Sequence, residues 1–229
     1  MSEETADSPG VTPIDTVICV HGFWWHGNGM VLVKRHFENE YGWNAMTFSY
    51  PSVKGSLDEN ADLLAKFIED EGLDRCHIVG HSLGGVVTLR MLSRAYRDFE
   101  GRVVCLGSPL SGSRAAEFLS RQNWAEQILG RSLPEGTIHS VANEWAGEVC
   151  ERVEVGVVAG SIPVGIGQIA GGFDEPSDGT VAVSETQLDG AHDHITMAVS
   201  HMGMLISRAV ADQAAAFLKR GEFLRNPLY

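Results

Sequence analysis

One short segment of the chain carries the residue types needed for nucleophilic chemistry. Gly80-His81-Ser82-Leu83-Gly84 fits the pattern G-x-S-x-G, in which small residues permit a sharp turn from a strand into a helix and expose the serine hydroxyl. The apolar run Cys76-His77-Ile78-Val79 precedes the pattern, and an uninterrupted apolar segment follows it. This context favours a nucleophilic Ser82 over a glycine turn that is only structural.

A serine nucleophile needs a histidine that removes its proton and a carboxylate that holds the histidine in the right tautomer. With a serine in such a turn, the chain order is serine, acid, histidine, which leaves His192, His194 and His201 as candidates. We expect His201 to be the base, because it follows a predicted strand on the same rim of the sheet as Ser82. His192 and His194 precede that strand and are interpreted as surface or structural residues.

Several carboxylates compete for the role of the orienting acid. Asp178 stands in Ser177-Asp178-Gly179-Thr180, where the adjacent glycine leaves room for a carboxylate to approach an imidazole. We choose Asp178, with Asp174 as the main rival. The other candidates are Glu175, Glu185, Asp189 and Asp193.

The segment after the first predicted strand is a candidate oxyanion site. Backbone N–H groups of Phe23 and of Leu83, the residue after the nucleophile, are the expected donors to a developing negative charge. His21, just before this turn, is interpreted as structural. Trp24, Trp25 and His26 follow this turn and are candidate substrate-pocket residues, as is Met202 beside His201; ordinary packing is the alternative for each.

Short β-branched runs alternate with helical patterns along the whole chain, which predicts a mostly parallel, doubly wound α/β sheet. Ser56-x-x-Glu59 predicts the start of one amphipathic helix, and apolar residues from Ile206 to Phe217 predict the last helix. The predicted strands are Thr16–Val20, Ala45–Tyr50, Cys76–Val79, Val103–Leu106, Val153–Ala159 and Ile195–Val199.

Length and charge bound the organisation and the partners of the protein. The 229 residues predict one domain, with 1–12 flexible and 111–150 as a small helical cap without room for a separate lid domain. The formal charge of −13 makes nucleic acid a poor partner and favours a neutral small molecule. The polar N-terminus argues against a signal peptide, and the glycines of Val155–Gly172 argue against a membrane span in that uncharged stretch. We therefore expect a cytoplasmic protein.

The four cysteines are scattered and include no C-x-x-C pair, so neither a disulfide scaffold nor a metal or redox motif is expected. Cys19, Cys76 and Cys105 lie in apolar runs and are interpreted as free buried thiols. No cofactor is expected, and the sequence leaves the oligomeric state open.

Five motifs span most of the chain: Val20–Phe23, Gly80–Gly85, Gly107–Ser113, Ser177–Val181 and Val199–Leu205. Together they resemble the α/β-hydrolase superfamily, and most closely its small lidless bacterial lipases and esterases and its GPI-inositol-deacylase-like branch. The resemblance implies Ser82 as nucleophile, Asp178 as acid and His201 as base. It also implies a doubly wound sheet with the site at its carboxyl edge.

The expected function is a serine esterase that cleaves carboxylic esters of apolar acyl groups through an acyl-enzyme. The same three residues would also serve an acyltransferase or a thioesterase, although a thioesterase acting on a CoA ester usually needs clustered basic residues for the phosphates. A third alternative is a protein of this fold that binds a ligand without turnover.

Overall fold

A computed structural model describes residues 13–23, 27–94, 99–120, 134–135, 137, 142–165 and 174–225. Within these residues, strands and helices alternate as predicted. The strands are β1 Thr16–Val20, β2 Asn44–Phe48, β3 His77–His81, β4 Arg102–Leu106, β5 Glu154–Gly160 and β6 Asp193–Met197. The helices are α1 Val31–Tyr41, α2 Leu57–Asp70, α3 Leu83–Arg94, α4 Arg114–Ser120, α5 Ala142–Trp145, α6 Gly147–Cys150 and α7 Arg208–Arg220.

All six strands pair in parallel, in the order β2-β1-β3-β4-β5-β6. The chain leaves β1 toward one edge of the sheet to form β2, and then crosses back to form β3 on the other side of β1. The boundary between β1 and β3 is therefore the point where the winding direction reverses. In open α/β sheets, ligands bind at such a point, beyond the carboxyl ends of the strands.

Both faces of the sheet are buried, which explains why its strands read as continuous apolar runs. In β1, Ile18 and Val20 pack in one core, and Val17 and Cys19 pack in the other. The first core lies under α2 and α3, and the second lies under α1 and α7. The predicted doubly wound α/β sheet is confirmed.

Local signals place two of the helices. The Ser56 hydroxyl accepts a hydrogen bond from the Glu59 N–H, and the Glu59 carboxylate accepts one from the Ser56 N–H, so the predicted capping box begins α2. The last helix begins later than the apolar spacing predicts, because Ser207 caps it and Ile206 lies outside it, 70% exposed. Helix α1 is not among the predicted elements, since only Val33 and Phe37 on it are buried.

All four cysteines are free and buried. Burial raises the pKa of the Cys19, Cys76 and Cys105 thiols to about 12, so these groups stay protonated. Among the helices in the described part of the chain, none has the length and apolar character to cross a membrane.

Candidate active site

Ser82 occupies a strained turn between β3 and α3. Its φ angle is +54°, and it is the one non-glycine residue with positive φ in the part of the chain that the structure describes. A side chain in this region of backbone space is held there by its surroundings, and such strain is frequent at functional sites. The Ser82 N–H donates to the Leu106 carbonyl at the end of β4, 2.8 Å away, which fixes the turn to the sheet edge.

The glycines that flank Ser82 are required by close backbone packing. A Cβ atom at Gly84 would lie 2.4 Å from the Val20 carbonyl oxygen, and one at Gly80 would lie 2.5 Å from the Gly85 nitrogen. The first turn of α3 therefore lies directly against the end of β1. This contact brings the β1 loop and the Ser82 turn together.

The loop after β1 lies against the serine. A Cβ atom at Gly22 would be 2.9 Å from the Ser82 Cβ, so Gly22 leaves the space in which the two segments meet. His21 holds this loop: its Nδ1 lies 2.7 Å from the Gly22 carbonyl oxygen, and its ring stacks on Tyr50 at 4.4 Å. Tyr50 also donates its hydroxyl to the His21 carbonyl at 2.8 Å. The predicted oxyanion residues Phe23 and Leu83 come next to Gly22 and Ser82 in the chain.

Asp178 is fully buried, in a turn that satisfies its carboxylate with backbone donors. Its Oδ1 accepts hydrogen bonds from the N–H groups of Thr180 at 2.8 Å and Val181 at 2.7 Å. Gly179 has a φ of +92° and passes so close to Val164 that a side chain there would overlap the Val164 backbone. The turn thus leaves one carboxylate oxygen, Oδ2, directed elsewhere.

That oxygen contacts His201. The distance from Asp178 Oδ2 to His201 Nδ1 is 2.6 Å, and the His201 N–H also donates to the Asp178 carbonyl at 2.8 Å. Since a carboxylate accepts, Nδ1 carries the proton and Nε2 is left with a lone pair. The Asp178–His201 pair is almost completely buried, with side chains 1% and 9% exposed.

Gly107 links this pair to the serine turn. It directly follows Leu106, which accepts from the Ser82 N–H, and its own N–H donates to Val158 in β5. A Cβ atom at Gly107 would lie 2.9 Å from Asp178 Oδ2 and 3.2 Å from His201 Nδ1. The Ser82 turn and the Asp178–His201 pair therefore both lie at the carboxyl end of β4. The prediction did not assign a role to Gly107, although it stands in one of the motifs.

The rival candidates lie elsewhere. The strand β6 begins earlier than predicted, so His194 lies inside it rather than before it, and its Nε2 is 2.9 Å from the Thr186 hydroxyl. His192 Nδ1 faces the Val155 N–H across the β5–β6 pair at 3.4 Å. Asp174 is exposed in the described loop.

Of the four remaining carboxylate candidates, Asp189 is exposed and the other three have structural partners. Glu185 and Glu175 pair with Arg114, and Asp193 pairs with Arg225.

Most of the predicted pocket cannot be compared with the structure. Trp24, Trp25 and His26 lie outside the described residues. Met202 is next to His201 in the chain and is 41% exposed, whereas Met204 is buried. A Cβ atom at Gly107 would lie 3.1 Å from the Met204 sulfur, so Met204 packs beside the Asp178–His201 pair.

The structure describes part of the predicted cap. Of residues 111–150, the structure describes 111–120, 134–135, 137 and 142–150, which include α4, α5 and α6. Ala142 of α5, Val149 of α6 and Ala146 between these helices join the core under α3. Within the described ranges, no group of three or more histidine, cysteine or carboxylate side chains is arranged to hold a metal ion.

A family model described as the alpha/beta hydrolase family matches residues 17–217. The match covers most of the chain, from within β1 to within α7. The protein belongs to the alpha/beta hydrolase family, as its motifs indicate.

Solved structures share this fold, and another protein is similar in sequence over part of the chain. The Pantoea ananatis protein named "Putative carbamate hydrolase RutD" is 28% identical over 111 residues, which are 47% of this chain and 39% of that protein. The mature Bacillus licheniformis lipase BlEst2 superposes with a TM-score of 0.64 at 17% identity, covering 97% of this chain and 96% of the lipase. A thermophilic esterase from Thermogutta terrifontis has a TM-score of 0.60 at 14% identity, covering 92% and 91%.

Proposed function

We propose that the protein is a serine hydrolase that cleaves carboxylic esters of apolar acyl groups through an acyl-enzyme. One observation carries the proposal. A serine held at a φ of +54° stands at the same sheet edge as a buried histidine whose Nδ1 lies 2.6 Å from a carboxylate. This arrangement matches what is needed to activate a serine hydroxyl.

In the first half of the reaction, Ser82 attacks the ester carbonyl while His201 Nε2 takes the hydroxyl proton. Asp178 holds Nδ1–H, so the ring presents its lone pair to the serine and the new imidazolium is stabilised. The backbone N–H groups of Phe23 and Leu83 donate to the tetrahedral oxyanion, and each such donor typically contributes about 3 kcal/mol of transition-state stabilisation. The intermediate collapses when His201 returns the proton to the leaving alcohol, and the acyl group remains on Ser82.

In the second half, water replaces the alcohol. His201 removes a proton from the water as the oxygen attacks the acyl-enzyme carbonyl, and the same N–H groups bind the second oxyanion. Collapse breaks the bond to Ser82, which recovers the proton from His201. The products are the carboxylic acid and the free enzyme.

Charge and apolar surface support neutral substrates. The formal charge of −13 repels anions over the molecule as a whole. Two apolar side chains follow the site elements at the carboxyl edge, Ile162 after β5 at 41% exposure and Met202 after His201 at 41%. Apolar side chains exposed beside a polar reaction centre suit an apolar acyl group.

The likeness to the protein named as a carbamate hydrolase favours one second candidate, a carbamate as substrate. Ser82 would attack a carbamate carbonyl by the same steps, with nitrogen on the carbonyl carbon in place of carbon. Initial rates on matched p-nitrophenyl acetate and p-nitrophenyl carbamate distinguish the two. Faster sustained turnover of the carbamate would replace the ester in the proposal.

Covalent labelling tests the nucleophile directly. A fluorophosphonate probe should modify the wild-type protein on the peptide that contains Ser82, and Ser82→Ala should abolish both labelling and ester hydrolysis. His201→Ala should reduce turnover to near background for lack of a base. Ser93→Ala is the matched control, because Ser93 lies on α3, the helix that follows Ser82, and its hydroxyl donates to the Arg90 carbonyl. Near-wild-type hydrolysis by Ser82→Ala would refute the proposal.

A further inference from the structure

His81, the residue before the proposed nucleophile, is a buried histidine that the mechanism above does not use. It is the last residue of β3 and is 2% exposed. Its Nε2 lies 3.1 Å from the carbonyl oxygen of His201, a contact between residues 120 positions apart in the chain. Because a carbonyl oxygen only accepts, Nε2 must carry the proton and donate.

With this hydrogen bond, both backbone polar groups of His201 have a partner. The His201 N–H donates to the Asp178 carbonyl at 2.8 Å, and the His201 carbonyl accepts from His81. The two imidazole rings are also in contact, with centroids 4.7 Å apart and planes inclined by 47°. Asp178 thus restrains the ring and N–H of His201, and His81 restrains its carbonyl and one ring face.

The two ring nitrogens of His81 are in different environments. Nδ1 is buried and has no hydrogen-bond partner among the residues that the structure describes. Nδ1 faces the loop after β1, since a Cβ atom at Gly22 would lie 3.1 Å from this nitrogen. An unpaired buried acceptor is unfavourable for folding, so among the described residues the Nε2–H donor is the polar contact that favours a histidine at this position.

His81 stays neutral in this position. Burial, with a smaller contribution from the neighbouring His201, lowers its pKa to about 3. The Nε2–H donor is therefore present, and the ring adds no charge beside the base, at any pH where the enzyme would be assayed.

We propose that His81 is a positioning residue that holds His201 in register with Ser82. His81 is bonded covalently to Ser82, so its hydrogen bond connects the backbone of the base to the residue next to the nucleophile. The inference rests on the proposed function of Ser82 and His201. It predicts that loss of the donor lowers kcat, whereas KM changes little, since His81 is 2% exposed and offers almost no surface to a substrate.

Two substitutions separate the hydrogen bond from the ring contact. His81→Phe keeps a planar ring but removes the donor, and it should lower kcat on p-nitrophenyl butyrate by about 10- to 100-fold, the usual effect of a small misplacement of a reacting group. His81→Gln places an amide N–H near the position of Nε2 and should recover much of that loss. KM should stay within about twofold in both, as expected when only transition-state interactions are lost.

His77→Gln is the matched control for loss of a buried histidine from the same strand. His77 is 4% exposed at the opposite end of β3, where its Nδ1 accepts from the Arg102 N–H. Its substitution should leave kcat unchanged. Thermal unfolding of each variant establishes that the assayed protein is folded.

A double-mutant cycle decides whether His81 acts through His201. In the His201→Ala background, His81→Phe should cause no further loss of the residual turnover, because the residue it positions is gone. A further loss as large as in the wild-type background would overturn the proposal, and so would a wild-type kcat in His81→Phe. If Ser82→Ala retains activity, the proposed function fails instead, so the two failures are distinguishable.

Discussion

At the scale of single residues, the carboxylate of Asp178 has a fixed orientation. Oδ1 accepts from the N–H groups of Thr180 and Val181, and Oδ2 faces His201 Nδ1. In Asp178→Asn, the amide oxygen would keep the two backbone donors and the NH₂ group would face His201. That group donates, so it would require Nδ1 to accept and Nε2 to carry the proton, which removes the base.

We therefore expect Asp178→Asn to lower kcat by about 10⁴-fold while the protein remains folded, as for other triads with the wrong histidine tautomer. Steady-state hydrolysis of p-nitrophenyl butyrate and a thermal melt measure the two effects. Asp174→Asn is the control, because Asp174 is exposed and the structure does not bring it to His201. Equal losses in the two variants would contradict the assignment of the acid.

At the scale of elements, the first turn of α3 and the end of β1 are packed backbone to backbone. A Cβ atom at Gly84 would lie 2.4 Å from the Val20 carbonyl oxygen and 2.6 Å from the His21 carbonyl oxygen. Neither oxygen belongs to a flexible side chain, so one whole element must move to admit a methyl group. The same movement would shift the Ser82 turn relative to the β1 loop.

Gly84→Ala should therefore reduce both stability and activity. We expect a loss of about 1–3 kcal/mol in the free energy of unfolding, the usual cost of overpacking, together with a lower kcat. Chemical denaturation and ester hydrolysis measure these effects. Gly147→Ala is the matched control: it lies in α6 with no atom within 4 Å of its Cβ position, so stability and kcat should hold. A Gly84→Ala protein as stable and active as this control would refute the packing argument.

At the scale of the whole molecule, buried histidines couple folding to pH. Burial is the main cause that lowers the pKa of His77 to about 4, with Arg102 and Arg75 adding to it, and that lowers the pKa of His81 to about 3. Below about pH 6.5 the unfolded chain binds protons at these positions, and the folded chain does not until pH 4 or 3. The contribution of these histidines to the free energy of unfolding is fully present above about pH 6.5. It falls as the pH decreases, by about 1.4 kcal/mol per pH unit for each histidine.

Urea unfolding between about pH 7 and pH 5 tests this coupling, because ordinary carboxylates are little protonated in that range. The wild-type protein should lose stability steadily as the pH falls, and His77→Gln should lose it less steeply. Ion-paired Asp58 and Glu154 have pKa values held below the ordinary range by Arg90 and Arg102, so their contributions disappear only at lower pH. Identical slopes for the two proteins would show that His77 is not the coupled group.

The sequence by itself determined the features that depend on neighbouring residues. The G-x-S-x-G turn, the capping box at Ser56 and the apolar strands are local patterns, and the structure contains each of them. The apolar pattern did not predict helix α1, because the buried face of this helix is narrow. The observed bounds of β6 differ from the predicted ones, because both ends of this strand are only partly buried. The choice of Asp178 and His201 used chain order and strand position, which narrow the candidates but give no distances.

Only the tertiary structure decided which side chains meet. The order β2-β1-β3-β4-β5-β6 brings the β1 loop beside Ser82 and sets Gly107 between the serine turn and the Asp178–His201 pair. The hydrogen bond from His81 to the His201 carbonyl joins positions 120 residues apart. Such contacts arise from the packing of distant elements around a shared core, and no local pattern of residues encodes the separation or the angle at which they meet.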